Sequence, residues 1–221
     1  MRGLVLGPLL GAVRTGAIGG VAIKHLSRAD SHTLGLIGSG FQARTQLAAA
    51  LAVREFQSVK VFSRDVGSLS RFAEEMSDVL KCDAQPVSSA QAACEDADVL
   101  LCTTTSKEPV VEAAWLKPGV HLNNVGPKFK DSHEIGTDII ARASRWVTDA
   151  PAQAEEYGDR LLVHCEPLAG DLETLSSIVS GQAAVRTTSE SQAITLFVSL
   201  GLAGTEVVLA RALFEDYLTE H

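Results

Sequence analysis

The chain has 221 residues, of which 46% are hydrophobic and 21% charged, the composition of a globular protein with a sizeable core rather than of a disordered one. Its 19 Lys and Arg against 27 Asp and Glu leave a net charge of −8, which argues against general nucleic-acid binding but leaves room for a local basic pocket. The longest uncharged run, residues 191–205, contains Ser, Gln, Thr and Gly and is too short and too polar for a membrane span.

Met1 and Arg2 precede an uncharged stretch, but Arg14 follows it and no small-residue cleavage site intervenes, so it reads as the start of a helix rather than a leader. Leu10, Val13, Ala17 and Val21 recur at steps of three and four, predicting an amphipathic helix that ends near Ser27. Gly11, Gly16, Gly19 and Gly20 within it call for tight packing or a close backbone approach. From Thr33 short apolar runs alternate with helical stretches. Strands are predicted over 33–38, 58–63, 98–103, 120–125 and 145–149, with a weaker one over 84–87. Helices are predicted over 41–53 and 66–79, with a short one over 88–95. This alternation gives an α/β fold of Rossmann type, a doubly wound parallel sheet. Beyond Asp149 the stretch punctuated by Gly158, Pro167 and Gly170 is loop-rich. Ile194, Phe197, Val198, Gly201, Leu202, Leu209, Ala212 and Leu213 then predict a final helical region beginning near Glu190. The expected organisation is an N-terminal helix in 1–30, a dinucleotide-binding domain in 31–150 and a loop-rich, helical segment in 151–221.

Cys82, Cys94, Cys102 and Cys165 show no Cys-x-x-Cys or Cys/His ligand spacing. They read as free thiols of a reducing, cytoplasmic compartment, with no metal site.

The strongest local signal is Gly38-Ser39-Gly40-Phe41-Gln42-Ala43, directly after a predicted strand and opening a predicted helix. Gly38 permits the tight turn, Gly40 leaves room for a pyrophosphate, and Ala43 lets helix and strand pack closely. A pyrophosphate there rests on helix N-terminal N–H groups, which makes Gly38, Ser39, Gly40, Phe41 and Gln42 cofactor-binding candidates. The end of the second strand selects the cofactor. Ser63 stands where NAD enzymes place an acid, and Arg64 follows. A hydroxyl and an arginine suit a 2′-phosphate, so NADP(H) is preferred. The alternative is NAD(H), with Asp65 on its ribose. Arg44 either reaches a phosphate or lies on the surface. Thr103, Thr104 and Thr105 close the fourth strand, where they either line the cofactor or are ordinary β-formers; Val125 and Gly126 close the fifth and join the cofactor-lining set.

These features occur together with Val13-Arg14-Thr15-Gly16-Ala17, with the run Trp115-Leu116-Lys117-Pro118-Gly119-Val120-His121-Leu122-Asn123, and with Thr195-Leu196-Phe197-Val198-Ser199-Leu200-Gly201-Leu202-Ala203. The combination resembles the ornithine cyclodeaminase/μ-crystallin family, whose "RTAA", "W-L-K-P-G-x-H-x-N" and "TLFKSxGxA" segments fall in the same order. The resemblance covers essentially the whole chain. It implies a Rossmann domain joined to a substrate and dimerisation domain, to which 1–30 and 151–221 would belong. Much of that domain, including a further arginine and lysine, has no counterpart here. It also implies hydride transfer between a nicotinamide and the α-carbon of a small imino or amino acid, as in a ketimine reductase or amino-acid dehydrogenase, by a homodimer. Arg14 would bind the substrate carboxylate.

Cyclodeaminases carry an aspartate after the "NAVG"-like strand, and Lys128 stands at that position. A cation in place of a base argues against the cyclodeaminase mechanism. Lys128 could bind a carboxylate, act as an acid after its pKa falls on burial, or be an exposed loop lysine. Asp131 and His133 are spare proton-transfer candidates. Two alternatives stay open: an ornithine cyclodeaminase, forming proline and ammonia, and a non-catalytic NADP(H)-binding protein. His25, His32 and His164 read as surface or capping residues, and Glu155-Glu156 as a solvated helix turn.

Overall fold

The chain begins its regular structure with α1 (Leu9–Leu26), followed by β1 (Thr33–Ile37), α2 (Phe41–Val53), β2 (Ser58–Phe62), α3 (Val66–Leu80) and β3 (Ala84–Pro86). Next come α4 (Ala90–Cys94), β4 (Val99–Cys102), β5 (His121–Asn124) and a short hairpin of β6 (Lys128–Phe129) and β7 (Ser132–His133). Then follow α5 (Thr137–Arg142), β8 (Arg145–Thr148), α6 (Pro151–Tyr157), β9 (Leu172–Thr174), α7 (Leu175–Val179), β10 (Thr195–Val198) and α8 (Thr205–Glu220). This computed structural model describes residues 7–164, 171–186, 190–202 and 204–220. Cys165, Pro167, Gly170 and Ala203 lie outside the described residues.

An eight-stranded sheet runs in the order β3-β2-β1-β4-β5-β10-β8-β9, with every neighbouring pair parallel. The order reverses between β1 and β4, the switch point at which an open α/β sheet forms its ligand crevice. Every residue of β1, β4, β5 and β10 is buried, because helices cover both faces.

One expectation is overturned. Residues 195–198 are not helical: they form β10, a central strand between β5 and β8, and the last helix starts only at Thr205. Leu196 and Val198 enter one core cluster and Phe197 another, so the strand lacks the polar alternation of a half-buried one. Its apolar positions fit helical spacing by coincidence. Gly201 (φ +88°) and Gly204 (φ +92°) separate strand from helix. The sheet thus draws β9 and β10 from residues beyond 150.

The glycines of α1 mark its crossing with α2. A Cβ on Gly16 would lie 2.5 Å from the Thr45 carbonyl oxygen, and one on Gly20 would lie 3.0 Å from Ala49 Cβ. Gln46, fully buried in the crossing, donates to Thr15 O at 3.0 Å. A polar network beneath α1 had no sequence signal. The ring of fully buried His121 bonds Thr195 Oγ1 (2.8 Å) and Asn123 Oδ1 (2.9 Å). Asn123 donates to Gly19 O, and Thr195 to Leu26 O. Burial pushes the His121 pKa down to about 3, so the ring is neutral.

At the same end of the sheet, where His121 N donates to Asp98 O, the fully buried Asp98 side chain accepts from Arg28, the His32 and Thr33 N–H groups, and lies 2.7 Å from Lys117 Nζ. This ties the entry of β1 to that of β4, and it engages His32. Cys82, Cys94 and Cys102 are free thiols, and burial pushes Cys94 up to about 12. Among the described residues no helix is long and apolar enough to cross a membrane.

Candidate functional site

The crevice begins at the turn after β1. Gly38 has φ +111°, a conformation open to glycine, and a Cβ there would lie 2.7 Å from Thr103 Oγ1. Its N–H donates to Phe62 O (2.8 Å), while Thr103 donates to Ile37 O through both N (2.9 Å) and Oγ1 (3.0 Å). Gly40 caps α2 without a side-chain acceptor, and the first turn carries no acid. A Cβ on Gly40 would meet nothing within 4 Å. The first N–H groups of α2, at the positive end of its dipole, therefore face open space that the missing side chain keeps clear.

Arg44 does not offer its charge there. It pairs with Glu75 (2.6 Å), lies over the Phe72 ring, and donates to Ser39 O (3.3 Å) and Gly40 O (3.1 Å). It clamps the turn from behind.

A cavity of about 350 Å³ gathers Gly38, Ser39, Gly40, Ser63, Arg64, Asp65, Thr103, Thr104 and Thr105, together with Ile37, Phe62, Ser68, Ser106 and Val110. Nine sequence-predicted residues thus share one space. Phe41, Gln42, Val125 and Gly126 do not line it. Asp65 is engaged in capping α3: its carboxylate accepts from Ser68 N (2.6 Å), and the Ser68 hydroxyl together with that N–H holds it below the usual carboxylate range. Arg64 is exposed. The threonines divide by role. Thr103 braces β1, and Thr104 donates to Glu134. Thr105 is exposed, and its hydroxyl bonds to no described residue.

The far side of the crevice, over β5, β10 and β8, is held by buried ionisable side chains. Lys128 is not an exposed loop lysine. Its Nζ donates to Val125 O (3.0 Å) and Ser199 O (2.7 Å), and burial pushes its pKa down to about 8 despite the nearby charges of Glu134 and Asp149. Asp149 accepts from the N–H groups of Leu200 (2.7 Å) and Gly201 (3.0 Å). Glu134, fully buried, accepts from Thr104 N (2.7 Å), Thr104 Oγ1 (2.8 Å), Asn124 Nδ2 (2.7 Å) and Gly126 N (2.5 Å). Burial raises its pKa against the pull of those donors. Asp131 is exposed, and the His133 ring bonds Phe129 O within the β6–β7 hairpin, so neither joins this cluster.

Arg14 lines a second cavity, about 440 Å³ and mostly apolar, with Asp149, Leu175, Leu202 and Val208 among its walls. Its Nε lies 2.7 Å from Glu206 Oε1, while Nη1 has no hydrogen-bond partner among the described residues. Asp149 links the two clusters, since it walls the Arg14 cavity and its charge acts on Lys128. Sequence reasoning missed Glu134 and Asp149. Among the described residues no group of three or more His, Cys, Asp or Glu is arranged to hold a metal.

Comparison with known proteins places this geometry. Delta(1)-pyrroline-2-carboxylate reductase of Bacillus cereus is 35% identical over 216 residues, covering 96% of this chain and 66% of that one. Alanine dehydrogenase of Archaeoglobus fulgidus is 32% identical over 216 residues, covering 95% and 64%. The structure of Thermococcus litoralis Delta(1)-pyrroline-2-carboxylate reductase in complex with NADH and L-proline matches with a TM-score of 0.88 at 35% identity, covering 97% of this chain and 67% of that one. The chain spans about two thirds of the length of the relatives it matches. Residues 4–221 match the ornithine cyclodeaminase/mu-crystallin family. With that match running nearly end to end on a shared fold, the chain belongs to the ornithine cyclodeaminase/mu-crystallin family.

Proposed function

We propose that this protein is an NAD(P)-dependent oxidoreductase that reduces a small cyclic imino acid, or oxidises the matching amino acid, at the α-carbon. The observation that carries the reading is the uncapped start of α2, open at Gly40, in one cavity with Ser63 and Arg64. That arrangement fits a dinucleotide pyrophosphate beside a 2′-phosphate. When bound, the nicotinamide supplies or accepts the hydride.

The turn from Gly38 to Gln42 holds the pyrophosphate through backbone N–H groups, so Phe41 and Gln42 contribute without lining the cavity by side chain. Ser63 and Arg64 hold a 2′-phosphate, which makes NADP(H) the preferred cofactor over NAD(H). Asp65, engaged by Ser68, is the weaker candidate for a ribose. Thr105 offers its free hydroxyl and Thr103 and Thr104 wall the cavity, while Val125 and Gly126 act from behind it, as backbone partners of Lys128 and Glu134.

Arg14 binds the substrate carboxylate in place of Glu206, and the planar guanidinium orients the α-carbon. Lys128, protonated below about pH 8, delivers the proton that the imine nitrogen needs as hydride reaches the carbon. We place the enzyme in the cytoplasm as a homodimer. Alanine dehydrogenase among the relatives supports the oxidative direction as part of the same reading.

The test is consumption of NADPH in the presence of Delta(1)-pyrroline-2-carboxylate. Turnover is expected, falling as pH rises past about 8, with the falling limb lost in Lys128→Met. Protein that binds NADPH yet turns over no cyclic imino acid overturns the proposal and leaves a binding protein.

A further inference from the structure

We infer that Glu134 is the positioning residue for the nicotinamide half of the crevice, an inference that rests on the dinucleotide reading above. The β4–β5 ladder ends at the pair Cys102–Asn124, followed by one last backbone bond, Val125 N to Cys102 O. Beyond that point no backbone hydrogen bond joins the two strand exits directly among the described residues; they meet through the segment carrying Glu134, whose O accepts from Val110 N and whose N donates to Pro127 O. Glu134 continues the tie. Its Oε2 accepts both donors of Thr104, two residues past β4, and its Oε1 accepts Gly126 N, two residues past β5, and the side chain of Asn124.

Gly126 fits this carboxylate and not a ligand. A Cβ there would lie 2.5 Å from Glu134 Oε2 and collide with the Thr104 carbonyl. A carboxylate buried to zero exposure is expensive unless every lone pair is used, and here four donors converge on it. Joining two loops does not require a charge. What the charge adds is directional grip on both exits at once.

The other half of the crevice is braced without Glu134, by the Gly38, Phe62 and Thr103 backbone bonds. A dinucleotide lies across the switch point with one nucleotide on each side. Loosening Glu134 should therefore weaken the grip on the nicotinamide side and spare the adenine side. General destabilisation would treat both alike.

The test titrates NADH and ADP-ribose separately into wild type, Glu134→Asp and Glu134→Gln, well below each melting temperature. Aspartate is one methylene too short to span both exits, whereas glutamine keeps the length and one acceptor oxygen. In Glu134→Asp the dissociation constant for NADH should rise about tenfold while that for ADP-ribose changes less than about twofold, with Glu134→Gln in between. Equal weakening of both ligands, or of neither, overturns the inference. Should Glu134→Asp fail to fold, Asn124→Ala removes one donor to Glu134 from a residue outside the cavity and should show the same asymmetry at about threefold. A wild-type protein that binds neither ligand overturns the dinucleotide reading, and this inference with it.

Discussion

On the β1–β2 side of the crevice, backbone holds backbone: Gly38 N–H on Phe62 O and Thr103 N–H on Ile37 O, with Arg44 closing the turn from behind. On the β5–β10 side the strand exits keep the same kind of backbone bond, Val125 N–H on Cys102 O and Ser199 N–H on Asn124 O, and are held in addition by side chains that carry charge. Lys128 grips two carbonyls, Asp149 two N–H groups and Glu134 the loops after β4 and β5. The first side depends on small residues at fixed positions. The second depends on charged groups, of which burial pushes Lys128 and Glu134 toward their neutral forms.

The largest expected effect separates substrate from cofactor. Arg14→Ala should lower kcat/KM for a cyclic imino acid by about a hundredfold or more, the roughly 3 kcal/mol of a lost charge-paired carboxylate, while NADPH affinity changes less than about twofold. Equal loss of both would mean that Arg14 serves the fold of the turn through α1 and α2, not the substrate.

Acidification should expose the second side next. His121 is neutral in the fold with a pKa near 3 against 6.5 when exposed, so its contribution is intact above pH 6.5 and is lost as pH falls below it. Urea denaturation should show about 2 kcal/mol less stability at pH 5 than at pH 7 from this residue, a slope that His121→Asn removes. An unchanged slope in that variant would mean other groups carry the acid sensitivity.

Arg64→Ala sharpens the cofactor choice. NADPH affinity should fall about tenfold, while NADH affinity moves less than about twofold. The smallest effect is expected at Thr105→Val, a two- to fourfold loss of dinucleotide affinity from one hydroxyl. The corresponding loss at Thr103→Val should appear in melting temperature instead, because that hydroxyl is spent on Ile37 O.

The same contrast explains what the sequence made legible. Strands β1 to β5 and β8 and helices α1 to α4 follow from local periodicity, and the turn at Gly38 is a local device, so both could be read directly; the short β6, β7 and α5 were not read. β10 could not, since burial on both faces erased the alternation that marks a strand. Glu134, Asp149 and His121 escaped because their partners lie far along the chain: Thr104 is 30 residues from Glu134, Leu200 is 51 from Asp149 and Thr195 is 74 from His121. No spacing rule reports such pairs. Lys128 was singled out by position, but its engagement with Val125 O and Ser199 O required the fold. Arg44 and Asp65 show the converse, residues whose type suited the cofactor but whose groups are engaged by Glu75 and Ser68.

The central claim, a nicotinamide dinucleotide across the β1–β4 switch point, is tested most directly by titrating the protein with NADPH and NADH while following tryptophan fluorescence. The account expects both to bind, NADPH more tightly, with the difference removed in Arg64→Ala. Binding of neither nucleotide to the folded protein would contradict it.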